Sequence, residues 1–164
     1  MKIRAMHALR LLVVALWAMP CSSGLADEGA PGSIERGRYL VTIGNCVGCH
    51  TAKFIALDGS VPEDNWFTGS PVGFRSQIGT TYASNLRVYF QELSEDGWLA
   101  VARTTTYRRP MPGWSLRVMS DGDLLAVYRY VRSLGPKGDR APDFLPPGQE
   151  PPRPYIELPT PPSP

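Results

Sequence analysis

The feature that most constrains this chain is the pentapeptide Cys46-Val47-Gly48-Cys49-His50. Two thiols two residues apart, followed at once by an imidazole, form the signature of covalent c-type haem attachment. The spacing follows from the chemistry. Two thiols add to the two vinyl groups on one porphyrin edge, and the intervening pair sets the span between the sulfurs. The adjacent histidine then brings its imidazole under the iron. Three other readings use part of the same motif. A thioredoxin-like redox pair needs a preceding strand and has no use for His50. A zinc site needs four ligands. A structural disulfide suits an oxidising compartment but leaves His50 unexplained. The complete motif predicts one covalently bound haem c on Cys46 and Cys49, with His50 on the iron.

The N-terminus predicts export. Lys2, Arg4 and Arg10 give a basic start, Leu11 to Met19 is an unbroken apolar run, and Gly24-Leu25-Ala26 supplies small residues for a signal peptidase. The run is far short of the roughly 20 residues that span a bilayer. An uncleaved membrane anchor is the alternative. Cys21 suggests a lipoprotein, but Pro20 stands where lipoprotein signals need a small flexible residue. Cleavage after Ala26 removes Cys21 and His7, leaving two cysteines and one histidine, all inside the motif. That is too few ligands for zinc. It also turns a net charge of +2 into −1, because Lys2, Arg4 and Arg10 leave with the signal. Bulk charge therefore gives no support to a nucleic-acid role. The expected product is periplasmic, with no transmembrane span after cleavage.

The expected organisation is a signal peptide at residues 1–26, a linker at 27–32, one domain at 33–140 and a proline-rich extended tail at 141–164. Ser33 can cap a first helix running towards Cys46, with Ile34, Gly37, Leu40, Val41 and Gly44 near one face. Gly37 has no side chain, so another helix can approach closely there. Residues 54–92 show no sustained helical period and predict a loop wrapped over something, with one short helix around Leu86 to Leu93. Ser94 opens a helix through Trp98 to about Arg103. Thr104 to Met119 reads as irregular. The last helix is the clearest: Ser120 and Asp123 make a capping-box-like start, Leu124, Val127, Tyr128, Val131 and Leu134 recur at helical spacing, and Gly135-Pro136 ends it. Ten prolines in the last 24 residues argue against any packed core there.

The sixth iron ligand is the next question. With no second histidine after cleavage, a methionine thioether is the best candidate, and it raises the reduction potential of haem iron. Met119 precedes the cap Ser120, where packing explains it. Met111 lies between Pro110 and Pro112, in a loop with little other reason to be apolar. The prolines stiffen the backbone around it. Met111 is therefore the expected distal ligand. Arg103, Arg108 and Arg109 crowd the approach to it, as a docking face for an acidic partner or as solvated charges, the commoner case.

Several further segments come in a familiar order: Gly37-Arg38-Tyr39-Leu40, the haem motif, Tyr82-Ala83-Ser84-Asn85-Leu86, Arg109-Pro110-Met111-Pro112, Ser120-Asp121-Gly122-Asp123-Leu124 leading into Tyr128-Arg129-Tyr130-Val131, Leu145-Pro146-Pro147-Gly148 and Pro154-Tyr155. Over residues 33 to 155 the chain resembles class I cytochrome c domains. The likeness is to small bacterial periplasmic cytochromes and to the domains that accompany membrane-associated dehydrogenases. The resemblance implies an all-α fold with the first and last helices crossing near a single haem, His50 and Met111 as axial ligands, and Asn85 orienting a haem propionate. A plain helix-cap role for Asn85 is the alternative. The sequence departs from that family after Leu86, where Arg87-Val88-Tyr89-Phe90 replaces the usual Gly-rich acidic insertion. The implied function is non-enzymatic electron transfer between a dehydrogenase or other donor and a downstream oxidase or cytochrome. The competing function is a ligand-binding or catalytic haem protein with an open sixth site. A structural subunit that keeps haem only for folding is the third.

Overall fold

The computed structural model describes residues 30–160; the expected signal peptide and the last four residues lie outside them. The Ser33 hydroxyl accepts from the Arg36 N–H at 3.0 Å and caps α1 (Ile34–Ile43). Gly44 closes that helix and Asn45 turns the chain, so α2 (Cys46–His50) is a separate single turn rather than a continuation of α1. Then follow α3 (Leu86–Tyr89) with a 3-10 turn at Phe90–Glu92, α4 (Glu95–Thr104), α5 (Gly113–Val118) and α6 (Asp121–Ser133). Ser94 and Ser120 cap α4 and α6 as the sequence predicts, each hydroxyl accepting a backbone N–H at 3.1 Å. Asp123 spends its carboxylate on Arg36 of α1, 2.9 Å away, and so ties the first helix to the last.

The core is built on α6. Its Leu124, Val127, Tyr128 and Val131 are buried, as the periodicity predicts. At the crossing with α1, a Cβ on Gly37 would overlap the Ala126 carbonyl oxygen and stand 2.6 Å from the Tyr130 Cβ. Only a glycine lets the two backbones come this close. On another side, Trp98 of α4 donates to the Leu124 carbonyl at 2.8 Å, and Phe90 lies 4.7 Å from the Trp98 ring and 5.5 Å from Tyr128. The segment from Phe54 to Phe67 wraps over the core through edge-to-face contacts, ending with Phe67 on Tyr130 at 6.2 Å.

Three parts depart from the sequence-based expectations. First, the all-α expectation is incomplete. A small sheet of order β2-β1-β3 is formed by β1 (Gly73–Ser76), its antiparallel hairpin partner β2 (Gly79–Tyr82), and β3 (Tyr155–Glu157), which runs parallel to β1. Second, α5 forms inside the segment read as irregular, just after Pro112. Third, the tail is not a free extension. Leu145 pairs with Thr80 in both directions, at 2.8 and 3.0 Å, and Arg75 bridges to Glu150 and Glu157 at 2.8 and 3.2 Å. Prolines flank β3 rather than interrupt it, so the three donors needed for pairing remain. No helix of the described residues is long and apolar enough to cross a membrane.

Two predictions follow from this packing. Gly37→Ala should cost about 2–3 kcal/mol, the usual size of a core overpacking. The urea midpoint should fall at unchanged slope; an unaltered midpoint would refute close contact at the crossing. The second concerns Glu63, which accepts from Tyr130 at 2.6 Å and Arg38 at 2.9 Å. The Arg38 hydrogen bond, with help from Tyr130, holds its carboxyl below the ordinary value against the opposing effect of burial. A depressed folded pKa gives stability that is present above the unfolded value of about 4.3 and is lost as pH falls through the folded one. Glu63→Gln should therefore flatten the acid limb of the stability–pH curve in that range.

Candidate haem-attachment site

The turn at Asn45 aims the motif. Its φ of 53° is left-handed, a conformation asparagine tolerates better than most residues. The Asn45 side chain then folds against Gly48, where a Cβ would overlap its Oδ1 and lie 2.9 Å from its Cγ. Gly48 is thus required by the turn, and Cys46 and Cys49 sit three residues apart on one side of one helical turn. Both thiols are half-buried and free of a disulfide. Burial pushes the Cys46 thiol up to about 11 and raises Cys49 as well. They are neutral thiols at physiological pH, the opposite of an activated redox pair, and a helix rather than a strand precedes them. Among the described residues no three His, Cys, Asp or Glu side chains cluster to hold a metal ion directly.

His50 has a defined tautomer. Its Nδ1 lies 2.8 Å from the Ser84 carbonyl oxygen. A carbonyl can only accept, so Nδ1 carries the proton and Nε2 keeps its lone pair. Burial lowers the imidazole pKa, with the Ser84 bond working against it, which favours the uncharged ring. A neutral ring with one nitrogen anchored and the other free is the form that ligates a metal. The backbone beyond the ring is fastened too: the His50 carbonyl accepts from Gly69 N–H at 2.8 Å, and Thr51 Oγ1 accepts from Phe67 N–H at 3.0 Å.

Asn85, next to Ser84, is buried and has a full set of partners. Its Oδ1 accepts from Val88 N–H at 3.1 Å and so caps α3. Its Nδ2 donates to the carbonyls of Lys137 and Asp139 at 2.8 and 2.9 Å. Both amide hydrogens are spent, so this geometry leaves no free donor for a propionate. The cap reading accounts for the residue. A side chain that does lack a partner is Tyr82, whose buried hydroxyl makes no hydrogen bond. An orphaned buried hydroxyl costs about 1–3 kcal/mol and is the kind of group a bound acceptor satisfies.

Met111 sits in the turn between α4 and α5, with its N–H on the Arg108 carbonyl at 3.1 Å. It is half-buried against the core and lines a pocket of about 420 Å³ together with Tyr107, Gly113 and Trp114. Met119 also packs on the core but does not line that pocket. The three arginines divide. Arg103 donates to the carbonyls of Leu116, Arg117 and Met119 and to Asp121 over 2.6–3.1 Å, closing the end of α5. Arg108 lies over the Phe144 ring, 4.2 Å from its centroid. Arg109 is exposed.

Two unpaired thiols on one helical turn and an imidazole with a free Nε2 beside them fit a covalently held haem; the pocket that Met111 lines is bordered by none of these three residues. Comparison with known proteins points the same way. The chain is similar to cytochrome c subunits of bacterial dehydrogenases. It is 31% identical over 121 residues to the gluconate 2-dehydrogenase cytochrome c subunit of Pantoea cypripedii, covering 63% of this chain and 26% of that protein. It is 30% identical over 146 residues to the cytochrome c subunit of the quinone alcohol dehydrogenases of Gluconacetobacter polyoxogenes and Komagataeibacter europaeus, covering 75% of this chain and 30% of each. The chain thus spans less than a third of the length of these curated relatives. No protein-family model and no solved structure matches it.

Sequence reasoning missed two contributors to the site region. The Ser84 carbonyl is a backbone group and leaves no mark in the sequence. Arg87 is 3% exposed and donates to the carbonyls of Asp64, Leu134 and Gly135, so it covers the end of α6. Its one signal is position, a lone arginine between Leu86 and Val88. Asn85→Ala should cost about 2 kcal/mol, from the lost cap and two carbonyls left unpaired. Asn85→Asp keeps the cap but puts a carboxylate against those carbonyls, and should be no more stable than the alanine variant in chemical denaturation.

Proposed function

We propose that this chain is an exported monohaem c-type cytochrome that passes single electrons from a dehydrogenase to a downstream acceptor. The observation that carries this reading is the motif on one helical turn, with His50 presented as a neutral ring whose Nδ1 is anchored. The similarity to dehydrogenase cytochrome c subunits supports electron transfer as the role. Haem supplies a one-electron couple when bound, and the protein tunes and presents it.

The residues divide the work. Cys46 and Cys49 would hold the haem through thioether bonds. His50 would ligate iron through Nε2, while Ser84 fixes its tautomer and orientation. Met111 would supply a second protein ligand, whose thioether would favour ferrous over ferric iron and leave no open position for a substrate. On this reading the chain is a carrier and not a catalyst. Its partners are other redox proteins, a dehydrogenase on one side and an oxidase or cytochrome on the other. The basic, apolar and small-residue order before Asp27 supports export.

Acid-acetone extraction should leave haem on the polypeptide, and Cys49→Ala should shift the pyridine haemochrome spectrum, since one vinyl group stays unsaturated. Freely extractable haem would refute covalent attachment. Met111→Ala should abolish the weak long-wavelength band of sulfur-ligated ferric haem and lower the reduction potential. Met119→Leu should keep the band and cost under about 1.5 kcal/mol. A wild-type protein that lacks the band and binds carbon monoxide at once would make the ligand-binding reading the right one.

A further inference from the structure

We propose that Phe144 and Leu145 clamp the Met111 loop to the β1–β2 hairpin, making Phe144 a positioning residue for Met111; this rests on the reading of Met111 as an axial ligand. A thioether is a weak ligand, so keeping sulfur at one place depends on how firmly its loop is held. Thr105 to Pro112 belongs to no helix or strand. Tyr107 and Met111 pack on the core from within this segment. The tail adds a second attachment, through Arg108. The Arg108 guanidinium, three residues before Met111, stands 4.2 Å from the centre of the Phe144 ring. The same ring lies against the hairpin: a Cβ on Gly79 would stand 2.7 Å from Phe144 Cε2 and overlap the Leu145 carbonyl oxygen. Gly79, at a φ of +115°, is thus the seat on which the tail lies. Leu145 is then locked there by its two hydrogen bonds to Thr80, which is 1% exposed.

The strand that receives the clamp also leads to the group that holds His50. β2 begins at Gly79 and Thr80, where the tail is fastened, and ends at Tyr82, two residues before the Ser84 carbonyl that holds His50. One strand therefore carries the support for both ligand positions. The tail, read from sequence as an appendage, closes the link on the methionine side.

The test uses the haem-loaded protein with Phe144→Ala, Arg108→Ala, Phe144→Tyr and Met111→Ala. Amide exchange is followed by mass spectrometry, and imidazole binding to ferric haem is followed by absorption. Phe144→Ala and Arg108→Ala should each speed exchange across residues 108–113 by about five-fold, the factor for losing one exposed cation–π contact. The rate of imidazole entry should rise by a similar factor, with exchange in α1 and α6 unchanged. Phe144→Tyr keeps the ring and should restore both rates. Wild-type exchange and imidazole rates in Phe144→Ala would overturn the clamp. If Phe144→Ala loosens α1 and α6 as well, Arg108→Ala decides, since Arg108 is exposed. If Met111→Ala keeps the long-wavelength band, the ligand reading itself fails. Faster loop exchange in Phe144→Ala would then show a tie on the loop, and the positioning role would be overturned.

Discussion

Where α1 crosses α6, Gly37 has no side chain, and the Ala126 carbonyl occupies the space one would need. This contact fixes the direction in which α1 leaves the core. Gly44 and Asn45 follow immediately, so the position of α2, and with it both thiols and His50, is inherited from the crossing. α6 holds the other elements as well. Trp98 of α4 donates into its backbone, Phe67 of the wrapped loop packs on its Tyr130, and Asp123 at its start is bonded to Arg36. A helix buried on so many sides positions its neighbours mainly by shape, because close-packed side chains have few alternative arrangements.

Shape alone does not close the ends of the elements. Loose carbonyls there need donors. Arg87 covers the end of α6, Arg103 the end of α5, and Asn85 the chain at Lys137 and Asp139. Arginine suits this task because its planar fork offers five donors and keeps its charge when buried. Arg87 has only carbonyls among its hydrogen-bond partners, and the carboxyl end of a helix favours a cation. Arg87 thus carries a structural role of its own.

The sheet shows how a proline-rich segment can still become part of a fold. Prolines lose little backbone freedom on ordering, so binding such a tail costs less entropy than binding a flexible one. Pairing then needs only a few free N–H groups, which Leu145, Tyr155 to Glu157 and Leu158 supply. Arg75 adds charge partners from the same segment, on a site exposed enough that their contribution is small.

By itself the sequence determined the haem motif, the capped helices α1, α4 and α6, and the close approach at Gly37. Each rests on local chemistry: two thiols and an imidazole at fixed spacing, a serine hydroxyl before a helix, a periodic apolar face, or a missing side chain. Tertiary structure decided the rest. The β1–β2 hairpin is four residues a side, too short for alternation to show, and β3 exists only because β1 offers an edge to it. α5 is a helix of six residues whose end is closed by Arg103 from another element, so its own sequence carries little sign of it. The His50 tautomer depends on a backbone carbonyl 34 residues away, and the Arg108–Phe144 contact on a segment that composition alone places outside the domain. These are non-local contacts between groups of no distinctive type, and only the folded chain brings them together.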